Sequence, residues 1–466
     1  MKTGGTAVRW WGRGLFGLSA VLPLCHSAAL AQDRPCRRQF LEGTTRQMVR
    51  SQVTPTTENY FAGGNPVRLR CRGQNVFVSA DSIASYQGQV VQFIGNFRYQ
   101  DETARVRSDF GTYIQGDERW EARGRVVYLN LRDSSRLEGP SVNYLRGVQG
   151  IRNMEEAFAD QRPRLILPVR EAGEAASEPY IIVADRLRLR GQTAMWGGGR
   201  VTVDRSDLRG RGDSLQLDTG PAGTGALIGA ASIRRAAEDS FALAGKRIDL
   251  TLAERELTSV TGRDSATVSS RDLDLGAEAI RLRLVDRKIA QTFAWGKDPR
   301  PEAVADEYQI RGDSLAVDTP DEMLREFRVF GRAWVGLRPD SAQGERDWIA
   351  GDTVRAEFEP ASGAAPDQRK SVVRRLEARH SAASFYRVAV ANAPGGRPTI
   401  NYSRADRILL VMEPGDSVKV ERVEMTGKVD GVQLEPSAVV PDSLRRPTSA
   451  TGTPPPAPPR IPPRPR

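Results

Sequence analysis

The stretch RVRSDFGTYIQGDERWEARGRVVY, residues 105–128, decides the fold. Val106, Ser108, Phe110, Thr112 and Ile114 alternate with Arg105, Arg107, Asp109 and Tyr113. After a polar turn at Gln115-Gly116-Asp117 the alternation resumes on Trp120, Ala122, Gly124, Val126 and Tyr128. A period of two marks a strand with one buried face. The same pattern returns at Ile280/Leu282/Leu284, Leu315/Val317, Phe327/Val329 and Val354/Ala356/Phe358. Helical spacing is nearly absent, with one short helix expected near Asn153–Asp160. The chain is therefore expected to be all-β and mostly antiparallel.

Two small motifs alternate along these strands. One is an acid between small or basic residues, read as a strand start: Ala80-Asp81-Ser82, Ala184-Asp185-Arg186, Gly212-Asp213-Ser214, Gly312-Asp313-Ser314, Gly351-Asp352-Thr353 and Ala405-Asp406-Arg407. The other is a glycine inside the next strand: Gly95-Asn96-Phe97, Gly124-Arg125-Val126, Gly199-Arg200-Val201, Gly331-Arg332-Ala333 and Gly427-Lys428-Val429. Asp185 and Asp213 lie 28 residues apart, and Gly95 and Gly124 lie 29 apart. A step of this size means a stacked array in which each unit buries its apolar face on its neighbours. A glycine at one place in each unit lets every rung fold over there.

The succession Ala80-Asp81-Ser82-Ile83, Tyr86-Gln87-Gly88, Phe93-Ile94-Gly95-Asn96-Phe97 and Arg119-Trp120-Glu121-Ala122-Arg123-Gly124-Arg125-Val126 resembles the organic-solvent-tolerance (OstA-like) family of lipopolysaccharide-transport proteins. Ala184-Asp185-Arg186-Leu187 and Ala405-Asp406-Arg407-Ile408 fit the same pattern. The resemblance covers most of residues 72–435. It implies a folded-over antiparallel β-jellyroll, or β-taco, whose inner face binds acyl chains. It also implies end strands that pair with other envelope transport proteins, here near Val76–Ser79 and Val418–Leu434. The chain is longer than the family's single-domain bridge proteins and has no C-terminal barrel like the translocon's.

Composition bounds the rest. Of the net charge of +10, three charges come from Lys2, Arg9 and Arg13, and five from the arginines of residues 445–466. The body between is close to neutral with its signs interleaved, which is not the footprint of a nucleic-acid binder. Lys2, Arg9 and Arg13, the apolar run Leu15 to Leu24 and Ala29-Leu30-Ala31 read as a signal peptide over residues 1–31, cleaved before Gln32. A periplasmic location is expected, with possible outer-membrane association. No later apolar run reaches the roughly 18 residues that span a bilayer as a helix. The exported chain keeps Cys36 and Cys71, and an even count in an oxidising space favours a disulfide between them. Residues 32–70 read as irregular, 71–146 as a first β block, 147–178 as a linker, and 179–440 as a longer second block with a loop at 359–371. Residues 441–466, rich in proline and arginine, read as a disordered tail.

No catalytic, metal or cofactor site emerges. His380 is the one histidine of the exported chain, and Ser381 and Ser384 near it lack a nucleophile elbow. Arg211-Gly212-Asp213 and Arg311-Gly312-Asp313 fall at the repeat's own positions, and Trp196-Gly197-Gly198-Gly199 reads as a turn and bulge. Paired carboxylates of the glycosidase kind recur in every repeat, as turn chemistry requires. The functional candidates are the apolar residues expected to face inward. In the first block these are Phe93, Phe97, Val106, Phe110, Trp120, Val126 and Tyr128; in the second, Leu282, Leu284, Phe327 and Val329. The expected function is non-enzymatic binding and transport of lipopolysaccharide or a related glycolipid, with homo-oligomers possible. The alternative is a structural or surface β-solenoid that binds proteins or glycans.

Overall fold

The computed structural model describes residues 36–435, apart from 169–177, 236–240, 254, 271–272, 306–307, 321–322, 338–346, 361–370, 389–397 and 414–419. The signal segment, the 359–371 loop for the most part, and the C-terminal tail lie outside the described residues. The protein is all-β: 28 strands among the described residues join one sheet. Every pairing is antiparallel, and long strands pair in chain order; where a strand is broken at its bend, its two halves pair separately with the neighbouring strand, as Tyr180–Val183 and Arg186–Arg190 both do with Ala194–Arg205. Thr57–Cys71 pairs with Phe77–Tyr86, that strand with Val90–Gln100, and so on to Thr399–Met412. Alternating β-branched or aromatic residues and short polar turns dictate this meander.

The long strands bend near their middle, where the register shifts. At Gly95-Asn96 two residues face the single Asp109, since Ile94 pairs with Phe110 and Phe97 with Ser108. That is a β-bulge, which turns and twists its strand. Gly95, Gly124 and Gly199 hold φ near +75°, a region that glycine enters without strain. Of the acids expected at strand starts, Asp185 and Asp313 do precede strands, Arg186–Arg190 and Ser314–Asp318, whereas Asp81, Asp213, Asp352 and Asp406 sit mid-strand. A Cβ on Gly124 would lie 2.6 Å from Asp109 Oδ2, and Asp81, Asp185, Asp213, Asp313 and Asp406 crowd Gly95, Gly199, Gly229, Gly331 and Gly427 likewise. The residue after the glycine closes the corner. Arg125 Nη2 lies 2.6 Å from Asp109, Arg200 and Arg332 each 2.8 Å from Asp185 and Asp313, and Asn96 Nδ2 donates to Asp81 at 2.8 Å.

These corners fold the sheet into two facing walls. An eleven-residue strand such as Val90–Gln100 is about 36 Å long if straight. Yet Tyr144, paired with Trp120 beside the 115–118 turn, donates its hydroxyl to Asp101 at the opposite strand ends, 2.9 Å away. Only a sheet doubled on itself brings the two rows of turns together.

The corners also set which residues face in. In Val90–Gln100 the corner keeps three successive residues outside, so Val91, Phe93, Phe97 and Tyr99 are all buried. In Ala104–Ile114 only Asp109 and Phe110 stay outside, so the alternation slips by one. Val106 and Ser108 face in before the corner, Gly111 and Tyr113 after it. Phe110, expected inside, is therefore on the outer surface with 52% of its area exposed, while Tyr113 is fully buried.

Three further expectations change. Residues 32–70 are not irregular: Arg38–Phe40 and Thr45–Thr54 both pair with Thr57–Cys71. The first edge is thus these strands, and Phe77–Tyr86 is paired on both sides. No helix forms near Asn153–Asp160. Glu156–Asp160 and Arg164–Leu167 are strands, bent apart at Gln161-Arg162, that continue the meander through the expected linker. The strand alternation of Phe158 and Ile166 wins over the short polar stretch around them. The last edge is formed by Val420–Thr426 and Asp430–Leu434, both paired with Thr399–Met412.

Candidate functional site: the interior and its mouth

Beside a small separate cluster at Trp348, Phe385 and Ile400, the space between the walls holds a main apolar cluster that runs from Cys36 to Met412. Phe93, Phe97, Val106, Trp120, Val126 and Tyr128 line it in the first block, and Leu282, Leu284, Phe327 and Val329 in the second. Trp120 is the hub of the first block. Its ring centroid lies 4.4 Å from Tyr113, 4.6 Å from Tyr99, 5.8 Å from Phe93 and 6.2 Å from Phe97. Offset and tilted stacks of this kind add to the area they bury. The walls touch: Trp120 and Val126 are each 1% exposed. Trp120 Nε1 has no hydrogen-bond partner among the described residues, as is also true of the buried Ser85 and Ser384 hydroxyls.

The mouth, where the two rows of turns meet, is closed by a buried polar network that the alternation did not disclose. Glu118, fully buried, takes Arg146 Nη1 at 2.8 Å, the Tyr113 hydroxyl at 2.7 Å and the Cys36 backbone N–H at 2.8 Å. Arg146 Nη2 crosses to Gln74 at 3.0 Å. Beside it, Asp101 accepts from the hydroxyls of Tyr99 at 2.6 Å and Tyr144 at 2.9 Å. Burial, reinforced by Asp101, pushes the Tyr99 and Tyr144 phenols far above their usual range. Burial and then Glu118 do the same to Tyr113. All three therefore remain donors. Inward tyrosines at alternating positions were the available clue, because a buried phenol needs a partner.

The N-terminal end of the mouth is stapled. Cys36 and Cys71 form a disulfide with Cα atoms 5.0 Å apart. It holds Arg38–Phe40 on Thr57–Cys71 and so presents the Cys36 N–H to Glu118. Further along, Arg255 of the second block reaches Asp133 of the first at 2.9 Å and the Pro168 carbonyl at 3.1 Å. The second block's mouth is shallow and lined by Tyr180, Arg205, Asp207, Phe241, Glu256 and Arg287. Arg205 pairs with Asp207 and stacks over Tyr180, with its carbon 4.6 Å from the ring centroid.

Other motifs dissolve into the corners. His380 and Ser381, with φ of 57° and 54°, form the bulge of Ser371–Val388. Asp213 and Asp313 are corner acids, and Gly199 is a corner glycine. No protein-family model matches this chain, and no curated protein matches it.

Proposed function

We propose that this protein is an exported, non-enzymatic lipid carrier of the periplasm. It holds acyl chains of lipopolysaccharide or a related glycolipid between the walls of its folded sheet and passes them toward the outer membrane. The observation that carries the reading is an apolar cluster spanning both blocks of a sheet whose end strands, among the described residues, have no partner on their outer side. The motif resemblance around Trp120 and the unsatisfied Trp120 Nε1, which an ester or amide carbonyl would satisfy, support it. Burying ten to twelve methylenes is worth about 8–10 kcal/mol. Loading parts walls that now touch, so the net gain is smaller. The closed walls favour a second reading, a structural β-solenoid-like protein whose interior is ordinary core.

Photocrosslinking separates the two. A benzophenone side chain placed at Trp120 reports the interior, and one at Phe110 reports the outer corner. Purified from its own envelope after irradiation, the Trp120 variant should carry a lipid adduct by native mass spectrometry, and the Phe110 variant should not. Adducts at neither site, or at Phe110 alone, would leave the structural reading.

A further inference from the structure

The outer face of the first block carries five arginines that form no ion pair among the described residues. Arg98 and Arg107 stand directly opposite each other on adjacent strands, and Arg105 lies two residues beyond. Arg68 and Arg70 project from the same face of Thr57–Cys71, across Phe77–Tyr86. Arginines oppose each other elsewhere too, but there an acid sits with them: Arg247 and Arg263 share Asp249, Arg328 and Arg355 share Glu326, Arg379 and Arg407 share Glu377, and Arg209, opposite Arg234, takes Asp204. Among the described residues no carboxylate forms an ion pair with any of these five. Arg70 and Arg105 meet only the neutral Gln39 and Gln100. The nearest acids are engaged: Glu102 accepts from Asn75, and Glu138 pairs with Arg136 and Arg164. Like charges directly opposed on a sheet destabilise it. In their midst Phe77, between Arg70 and Gln100 in register, is 50% exposed.

We infer that this face docks on an anionic lipid bilayer, with the arginines on headgroup phosphates and Phe77 inserted among the acyl boundary atoms. Bare cations around a protruding aromatic complement such a surface in both charge and apolarity. The inference does not depend on what the interior holds.

The test is sedimentation of the full exported chain with vesicles of phosphatidylglycerol and phosphatidylethanolamine, against phosphatidylcholine alone. Arg98→Gln/Arg105→Gln/Arg107→Gln should weaken binding to the anionic vesicles on the order of a hundredfold. Phe77→Ala should weaken it roughly tenfold. The matched tail variant Arg460→Gln/Arg464→Gln/Arg466→Gln changes net charge equally and should lose much less. Arg98→Lys/Arg105→Lys/Arg107→Lys should still bind, which separates lost charge from lost fold. Binding should also fall as salt rises. Unchanged binding by the Gln triple, an equal loss in the tail variant, or tighter binding to duplex DNA than to vesicles would overturn the proposal.

Discussion

Substituting Gly124 by alanine tests whether the corners, and not the turns, hold this sheet folded. Gly124 has φ +75°, and its missing Cβ would sit 2.6 Å from Asp109 Oδ2 and 3.0 Å from Asp109 Cβ. Alanine in the left-handed region costs about 1–2 kcal/mol. Displacing the Asp109 side chain adds about 1 kcal/mol, at the low end of overpacking. The Arg125–Asp109 pair is on the surface and contributes little. Gly124→Ala should thus lower local stability by about 2–3 kcal/mol. In a stacked array the loss stays with the neighbouring strands. Hydrogen exchange read by mass spectrometry should speed up roughly thirty- to hundredfold in peptides from Ala104–Ile114 and Arg119–Asn130. Peptides from Ala242–Ala253 should not change. Gly116→Ala, in the turn with open space around it, should stay within about 0.5 kcal/mol. In an Asp109→Ala background the carboxylate clash disappears, leaving the backbone part and the 3.0 Å contact with the Cβ of residue 109. The reasoning fails if Gly124→Ala behaves like Gly116→Ala, or if removing the Asp109 side chain leaves the cost unchanged.

Arg146→Met should destabilise the first block by about 3–5 kcal/mol, because it strands Glu118 as a buried, unpaired charge; thermal unfolding measures this, and adding Glu118→Gln should recover part of the loss. Thiol labelling of unfolded, unreduced protein cut before Gln32 should find no free thiol, and two labels per chain would sink the Cys36–Cys71 bond. Hydrogen bonds from Arg125 and Arg200 hold the Asp109 and Asp185 carboxyls below their usual range. Those pairs therefore act fully above about pH 4 and are lost as pH falls through the lowered values. Corner amides should exchange faster, after correction for intrinsic rates, only in that acid window.

The strands, their antiparallel order and the once-per-rung bend were legible because each is a local pattern: period two, polar turns, and a glycine at a fixed step. The role of the acids was not. Asp81 looks like turn chemistry until its partner glycine, fourteen residues on, is seen to have no room for a Cβ. Phe110 was misplaced for the same reason, since strict alternation assumes a flat strand. Arg38–Phe40 and Thr45–Thr54 were missed because an edge strand with both faces wet shows no alternation to read. The Glu118–Arg146 closure was invisible because it joins turns that approach each other only after the sheet has folded.

At the corners that pair an acid with a glycine, the two together make a phase rule; the His380-Ser381 and Asp264-Ser265 bulges do without the glycine. A strand that supplies the corner acid keeps two residues outside and swaps the parity of its inward face. A strand that supplies the bulge keeps three outside and preserves it. Phe77–Tyr86 obeys the first form, with Val78 and Ala80 buried before the corner and Ile83 and Ser85 after it. Glu326–Leu337 obeys the second, with Phe327, Val329, Ala333 and Val335 all inside. Because the two kinds alternate, each rung presents a continuous apolar face on both walls although half of its strands break the simple period. The device explains why an acid and a glycine recur together even where the second residue of the bulge changes from arginine to asparagine or alanine. That residue sits outside the corner, whereas the acid and the glycine occupy the same small volume.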